Sequence, residues 1–295
     1  MKQTIFEGIA TALITPTSTR GVEYERFADL IDWQIEQGID GLVVCGTTGE
    51  ASTLTDAEHK GVIDFAVKHV AGRVPVIAGT GSNETAYAIE LTESACRSGA
   101  DAVLVVTPYY NKATQNGLIR FYETIADTST VPLILYNVPS HTGVNIEPQT
   151  YYELAKHRNI AAIKEANGDM SKIVETMSLV GESLDLYSGN DDQIVPLLAM
   201  GASGCISVVS NMMPAQTREI YTRYINGDTP DAMALQRDYH ELISALFSEV
   251  NPIPIKAAMA ALGFCEDHLR LPLTPIEDQH KHLLFDAMRK LSFNV

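Results

Sequence analysis

The sequence predicts an α/β fold, a single (β/α)8 barrel with a C-terminal helical appendage. Three observations lead there. Short apolar, β-branched runs recur eight times, a helical pattern follows each, and no further strand run appears after Gly227. The eight runs cover residues 8–15, 41–46, 74–79, 102–107, 131–137, 160–165, 184–189 and 204–210, at the spacing of βα units.

The intervening helices carry their own signals. Thr55-Asp56-Ala57-Glu58 reads as a capping box, in which side chains satisfy free N–H groups of the first turn. A helical stretch over 84–97 stops at Gly99, and one over 190–200 stops at Gly201, glycine being the residue that tolerates a left-handed stop. Thr229-Pro230 reads as an N-cap followed by a first-turn proline. Helices are expected over about 230–249, 253–262 and 276–291, with Asn251-Pro252-Ile253-Pro254 as a joining turn. The chain should therefore divide into a catalytic barrel over 1–227 and a helical region over 228–295 packed on it. An open doubly wound sheet is the competing architecture, but no GxGxxG turn follows the first run.

Bulk properties exclude several classes. A length of 295 residues suits one large barrel core. The net charge of −16 argues against nucleic-acid or anionic-membrane partners, which need a basic footprint. No apolar run reaches the roughly 18–20 residues of a membrane helix, and Glu7 interrupts the start too early for a signal peptide. Cys45, Cys96, Cys205 and Cys265 are scattered without CxxC spacing, which argues against disulfides and zinc. A cytoplasmic protein is the default expectation.

In such barrels the chemistry sits at the C-terminal strand ends. Those ends offer hydroxyls, small residues and one amine, without metal-ligand spacing or a Gly-rich phosphate cradle. Lys164 is the only one of ten lysines inside an apolar strand run. Alternation places Ile160, Ala162 and Lys164 on one face, expected to be the barrel interior, with Glu165 on the other. Partial desolvation would make the neutral, nucleophilic amine accessible, the requirement for a Schiff-base lysine. Taken alone, Lys164 reads equally well as a strand-end lysine reaching for water. Tyr136 ends the preceding strand and could shuttle protons, or be a core aromatic. Thr47 and Thr48 offer hydroxyls to a carboxylate, or merely occupy a tight turn.

Three motifs, Gly46-Thr47-Thr48-Gly49-Glu50, Tyr136-Asn137-Val138-Pro139-Ser140 and Ile163-Lys164-Glu165-Ala166, resemble in order and spacing the dihydrodipicolinate synthase / N-acetylneuraminate lyase family. The likeness covers essentially the whole chain. Thr47-Thr48 and Thr107-Pro108-Tyr109-Tyr110-Asn111 resemble its synthase branch. The resemblance implies that Lys164 condenses with pyruvate to an imine and then an enamine that attacks L-aspartate-4-semialdehyde, in the diaminopimelate route to lysine. It implies Tyr136 as proton donor and acceptor, relayed through Thr47 to a Tyr110 contributed by a neighbouring subunit. Thr48 would bind the pyruvate carboxylate, and Gly189 and the Ile206 carbonyl would line the site. The resemblance further implies a homotetramer of tight dimers, with no cofactor and no metal.

Two positions depart from the pattern. His141 stands where the family has an arginine that grips the aldehyde's carboxylate, and a mostly neutral imidazole offers one donor in place of a charged fork. Of the positions matching the family's lysine-feedback pocket, His59, Asn83 and Tyr109 agree, whereas Ala51, Asp56 and Tyr87 differ. Tyr87 replaces the glutamate that would pair the ligand's amine, so weak or absent lysine inhibition is expected. His141 also keeps open a second reading, a pyruvate-dependent lyase of N-acetylneuraminate or a 2-keto-3-deoxy sugar acid. A barrel that binds 2-oxo acids without catalysis is a third, opposed by the joint presence of Lys164, Tyr136, Thr47 and Tyr110. The tract His280-Lys281-His282 reads as solvated surface.

Overall fold

The computed structural model describes residues 4–295. Eight parallel strands close into a barrel: β1 (Gly8–Ala12), β2 (Gly41–Val44), β3 (Val76–Gly79), β4 (Ala102–Val106), β5 (Leu133–Asn137), β6 (Ile160–Glu165), β7 (Asp185–Ser188) and β8 (Gly204–Ser207). Each pairs with its sequence neighbour, and β8 returns to β1 with Ala10 opposite Ile206. All eight fall within the apolar runs, because only buried parallel strands tolerate β-branched residues on both faces.

Ala10, Val43, Ile77, Leu104, Ile134, Ala162 and Ile206 fill the interior, and the stacked rings of Phe6 and Tyr187, 4.2 Å apart, lie with them. A second, larger cluster lies between strands and helices. The alternation expected along β6 fails at one residue. Leu133 pairs with Ile160 but Ile134 pairs with Ala162, so one extra residue bulges out of register. Ile160 consequently joins the outer cluster, while Ala162 points inward as expected and Lys164 is buried beyond it.

Thr55 makes its capping box with Glu58, and helix Thr85–Ser98 stops at Gly99 with φ +90°. The 190–200 stretch is a 3-10 turn (Asp191–Gln193) and a short helix (Ile194–Leu198). Thr229 is the first helical residue and Asp228 holds the N-cap position, one residue earlier than the sequence suggests. The expected 230–249 helix is interrupted at Tyr239, giving Thr229–Asp238 and His240–Leu246. Ile253–Ala261 and Asp278–Lys290 follow, and the last packs on both His240–Leu246 and Ile253–Ala261. A two-stranded antiparallel ribbon, Thr17–Ser18 with Gly21–Val22, was not signalled by the sequence. Among the described residues no helix is long and apolar enough to cross a membrane.

Candidate active site

Two strained backbone positions bracket the Gly46-Thr47-Thr48-Gly49 turn after β2. Cys45 and Glu50 adopt φ of +53° and +57°, the left-handed region that non-glycine residues occupy only when their surroundings enforce it. The enforcement is visible. A Cβ on Gly79 would lie 2.1 Å from the Cys45 carbonyl oxygen, so only glycine lets β3 approach the turn. Thr15 Oγ1 donates to the Gly49 carbonyl at 2.8 Å, and the Glu50 carboxylate meets the Lys256 ammonium, both side chains being buried.

Lys164 ends β6 beside Tyr136 of β5, and its side chain is 5% exposed. Its Nζ lies 4.2 Å from the centre of the Tyr136 ring, and no carboxylate among the described residues stands within ion-pair distance of it. The amine thus sits against an aromatic face and not in an ion pair. Glu165 faces the other way, as alternation requires. It accepts from Asn137 Nδ2 at 2.9 Å, Tyr151 Oη at 2.8 Å and the Asn167 N–H at 2.9 Å. Burial nevertheless pushes its carboxyl up to about 7.

A cavity of about 360 Å³ is lined by Thr47, His59, Tyr87, Tyr109, Tyr136 and His141; Lys164 meets it only through its neighbour Tyr136 and does not line it. The structure therefore brings Thr47 and Tyr136 together with His141. Thr48 is buried and does not line the cavity itself; its Oγ1 accepts from Asn251 Nδ2, a side chain that does, at 3.0 Å. Gly189 packs against the end of β6, its N–H donating to the Glu165 carbonyl at 2.8 Å, and a Cβ there would press on Ala166 at 2.8 Å. Ile206 is fully buried in the barrel interior. The buried Asp191 carboxylate accepts from the Val208 and Val209 N–H groups at 2.9 and 3.0 Å and fixes the loop after Ile206.

Tyr110 stands apart. Its side chain is 89% exposed, its φ is +73°, and it does not line the cavity. Among the other positions singled out, Asn83 gives its carbonyl to Asn111 Nδ2. His59 is buried with Nε2 2.7 Å from the Gly79 carbonyl; because a carbonyl only accepts, that nitrogen carries the hydrogen. Burial lowers the affinity of the His59 imidazole for a proton, and it lowers that of His141 too, with the Lys164 charge adding to the effect.

Sequence reasoning gave no role to Glu50, Lys256 or Asn251. Lys256 carried a usable signal, a lone charge in the apolar run Ile253-Pro254-Ile255-Lys256-Ala257-Ala258. A cluster of Glu249, Glu277 and His280 at the surface also differs from the solvated reading, since His280 Nδ1 lies 2.8 Å from Glu249 Oε1.

The fold is a (β/α)8 barrel with a buried lysine near the end of β6 and a cavity lined by its neighbour Tyr136. The comparisons narrow that class. A sequence model of the dihydrodipicolinate synthetase family matches residues 5–291, and the chain belongs to that family. It is 47% identical over 287 residues to the 4-hydroxy-tetrahydrodipicolinate synthase of Thermoanaerobacter sp. (strain X514), covering 97% of each chain. The enzyme of that name from Lachnoclostridium phytofermentans is 50% identical over 289 residues, covering 97% of this chain and 98% of the relative. The solved dihydrodipicolinate synthase of Aquifex aeolicus superposes with a TM-score of 0.95 at 44% identity, covering 97% and 98%.

Proposed function

We propose that this chain condenses pyruvate with L-aspartate-4-semialdehyde through an imine on Lys164, the first committed step of the diaminopimelate route to lysine. The observation that carries the assignment is the buried Lys164 amine lying against Tyr136 outside any ion pair. The Lys164 nitrogen is the nucleophile that attacks the pyruvate ketone carbon. Loss of water from the carbinolamine gives the imine, and removal of a methyl proton gives the enamine whose carbon attacks the aldehyde. Each step needs a proton moved beside the nitrogen, and Tyr136 is adjacent to it; Thr47 shares the same cavity and is proposed to pass the proton on. Thr48 is assigned to the pyruvate carboxylate, Gly189 and the Ile206 carbonyl to the walls, and His141 to the aldehyde's carboxylate. The lysine nitrogen accepts the electron pair, so the chemistry asks for neither cofactor nor metal.

Tyr110 completes this relay only from a second copy, and its exposure on a strained backbone supports that arrangement. A homotetramer of tight dimers is proposed on that basis. The helices beyond residue 227 are taken as part of the same catalytic unit, because they reach the Thr47–Thr48 turn. Four free cysteines support a reducing, cytoplasmic setting. The test compares substrates: purified protein should condense pyruvate with aspartate semialdehyde and leave N-acetylneuraminate and 2-keto-3-deoxy sugar acids uncleaved. The opposite preference would overturn the assignment.

A further inference from the structure

The side chain that touches Thr48 comes from the far end of the chain. Asn251 lies just before helix Ile253–Ala261, is 8% exposed, and donates from Nδ2 to Thr48 Oγ1 at 3.0 Å. Its Oδ1 accepts no hydrogen bond among the described residues.

Its consequence is directional. An amide nitrogen can only donate, so Thr48 Oγ1 is held as an acceptor towards Asn251. Among the described residues Thr48 Oγ1 donates no hydrogen bond and accepts the one from Asn251. That hydrogen is free for a ligand, and a carboxylate is the ligand group that only accepts. We propose that Asn251 is a positioning residue for the 2-oxo acid: by donating to Thr48 Oγ1 it turns the Thr48 hydroxyl hydrogen towards the substrate carboxylate. The proposal rests on Thr48 as the carboxylate-binding hydroxyl in the reading above. Lys256, on the helix that Asn251 precedes, fixes the same turn from behind through Glu50, so the distance from Asn251 to Thr48 is held at both ends.

The test exchanges the donor for an acceptor. Asn251→Asp keeps the shape, draws the Thr48 hydroxyl hydrogen towards itself and adds a like charge near the substrate. The KM for pyruvate should rise roughly ten- to a hundredfold, while the KM for aspartate semialdehyde stays put. Asn251→Ala, which only deletes the donor, should raise it roughly two- to tenfold and covers the case in which the aspartate variant fails to fold. In a Thr48→Val background Asn251→Ala should add less than about twofold, since the hydroxyl being oriented is gone, and Asn251→Asp should keep only the part of its effect due to the added charge. Equal effects with and without the Thr48 hydroxyl, or an unchanged pyruvate KM in both variants, would overturn the proposal. Borohydride trapping of pyruvate on the unmutated protein separates the two claims. If Lys164 fails to trap there, the Schiff-base reading has failed; if it traps and the cycle shows no coupling, only the role of Asn251 has.

Discussion

Lys256→Met isolates what the C-terminal helices contribute to the turn that carries Thr47 and Thr48. The two charged side chains are 0% and 1% exposed, and the ammonium also donates to Thr17 Oγ1 at 2.9 Å. Removing it leaves the Glu50 carboxylate dry, with the Arg270 N–H at 3.4 Å as its nearest remaining donor. Stranding one member of a buried ion pair costs about 3–5 kcal/mol. At about 2.1 cal/mol/K of unfolding entropy per residue, a chain of 295 residues converts that to a fall in Tm of about 5–8 °C. Lys256→Met with Glu50→Gln leaves no charge buried and should recover most of the loss, because replacing both partners is far less damaging than breaking the pair. Scanning calorimetry on the three proteins reads the cycle directly. A single variant within about 2 °C of the parent, or a double variant no better than the single, would refute the claim that this pair clamps the turn.

Three further outcomes are expected. Both burial and the Lys164 charge disfavour protonation of His141, so its imidazole is neutral above the usual histidine range and becomes cationic only below it; the KM for aspartate semialdehyde should fall as pH is lowered, and His141→Arg should lower it roughly ten- to a hundredfold at pH 8 with pyruvate KM unchanged. Tyr110→Phe removes only the hydroxyl and keeps the ring, so it should depress kcat with little change in Tm; an unaltered kcat would detach Tyr110 from the relay. Free lysine should inhibit weakly or not at all, because Tyr87 offers no counter-charge to its ammonium, and inhibition at micromolar lysine in steady-state assays would contradict that.

The barrel was legible because each strand is locally apolar and each helix carries its own start or stop, so no long-range information was required. The facing of Lys164 was legible for the same reason, through two-residue alternation. Ile160 was misplaced because a bulge is a property of pairing: nothing within 160–165 marks the residue that lacks a partner on β5. The Thr47-Thr48 turn was visible as a motif, but what holds it was not. Asn251 and Lys256 bond to residues 203 and 206 positions away, and a polar side chain next to two prolines reads locally as a turn. The departure at Tyr87 emerged only through resemblance, since its place in the cavity lining has no local signature.

The central claim is that a dry, unpaired amine captures a ketone, and reductive trapping tests it most directly. Protein incubated with pyruvate and sodium borohydride, digested and analysed by mass spectrometry should carry the reduced pyruvate adduct on the peptide containing Lys164, and Lys164→Ala should abolish both adduct and turnover. An adduct on another lysine, or full activity in the alanine variant, would contradict the account.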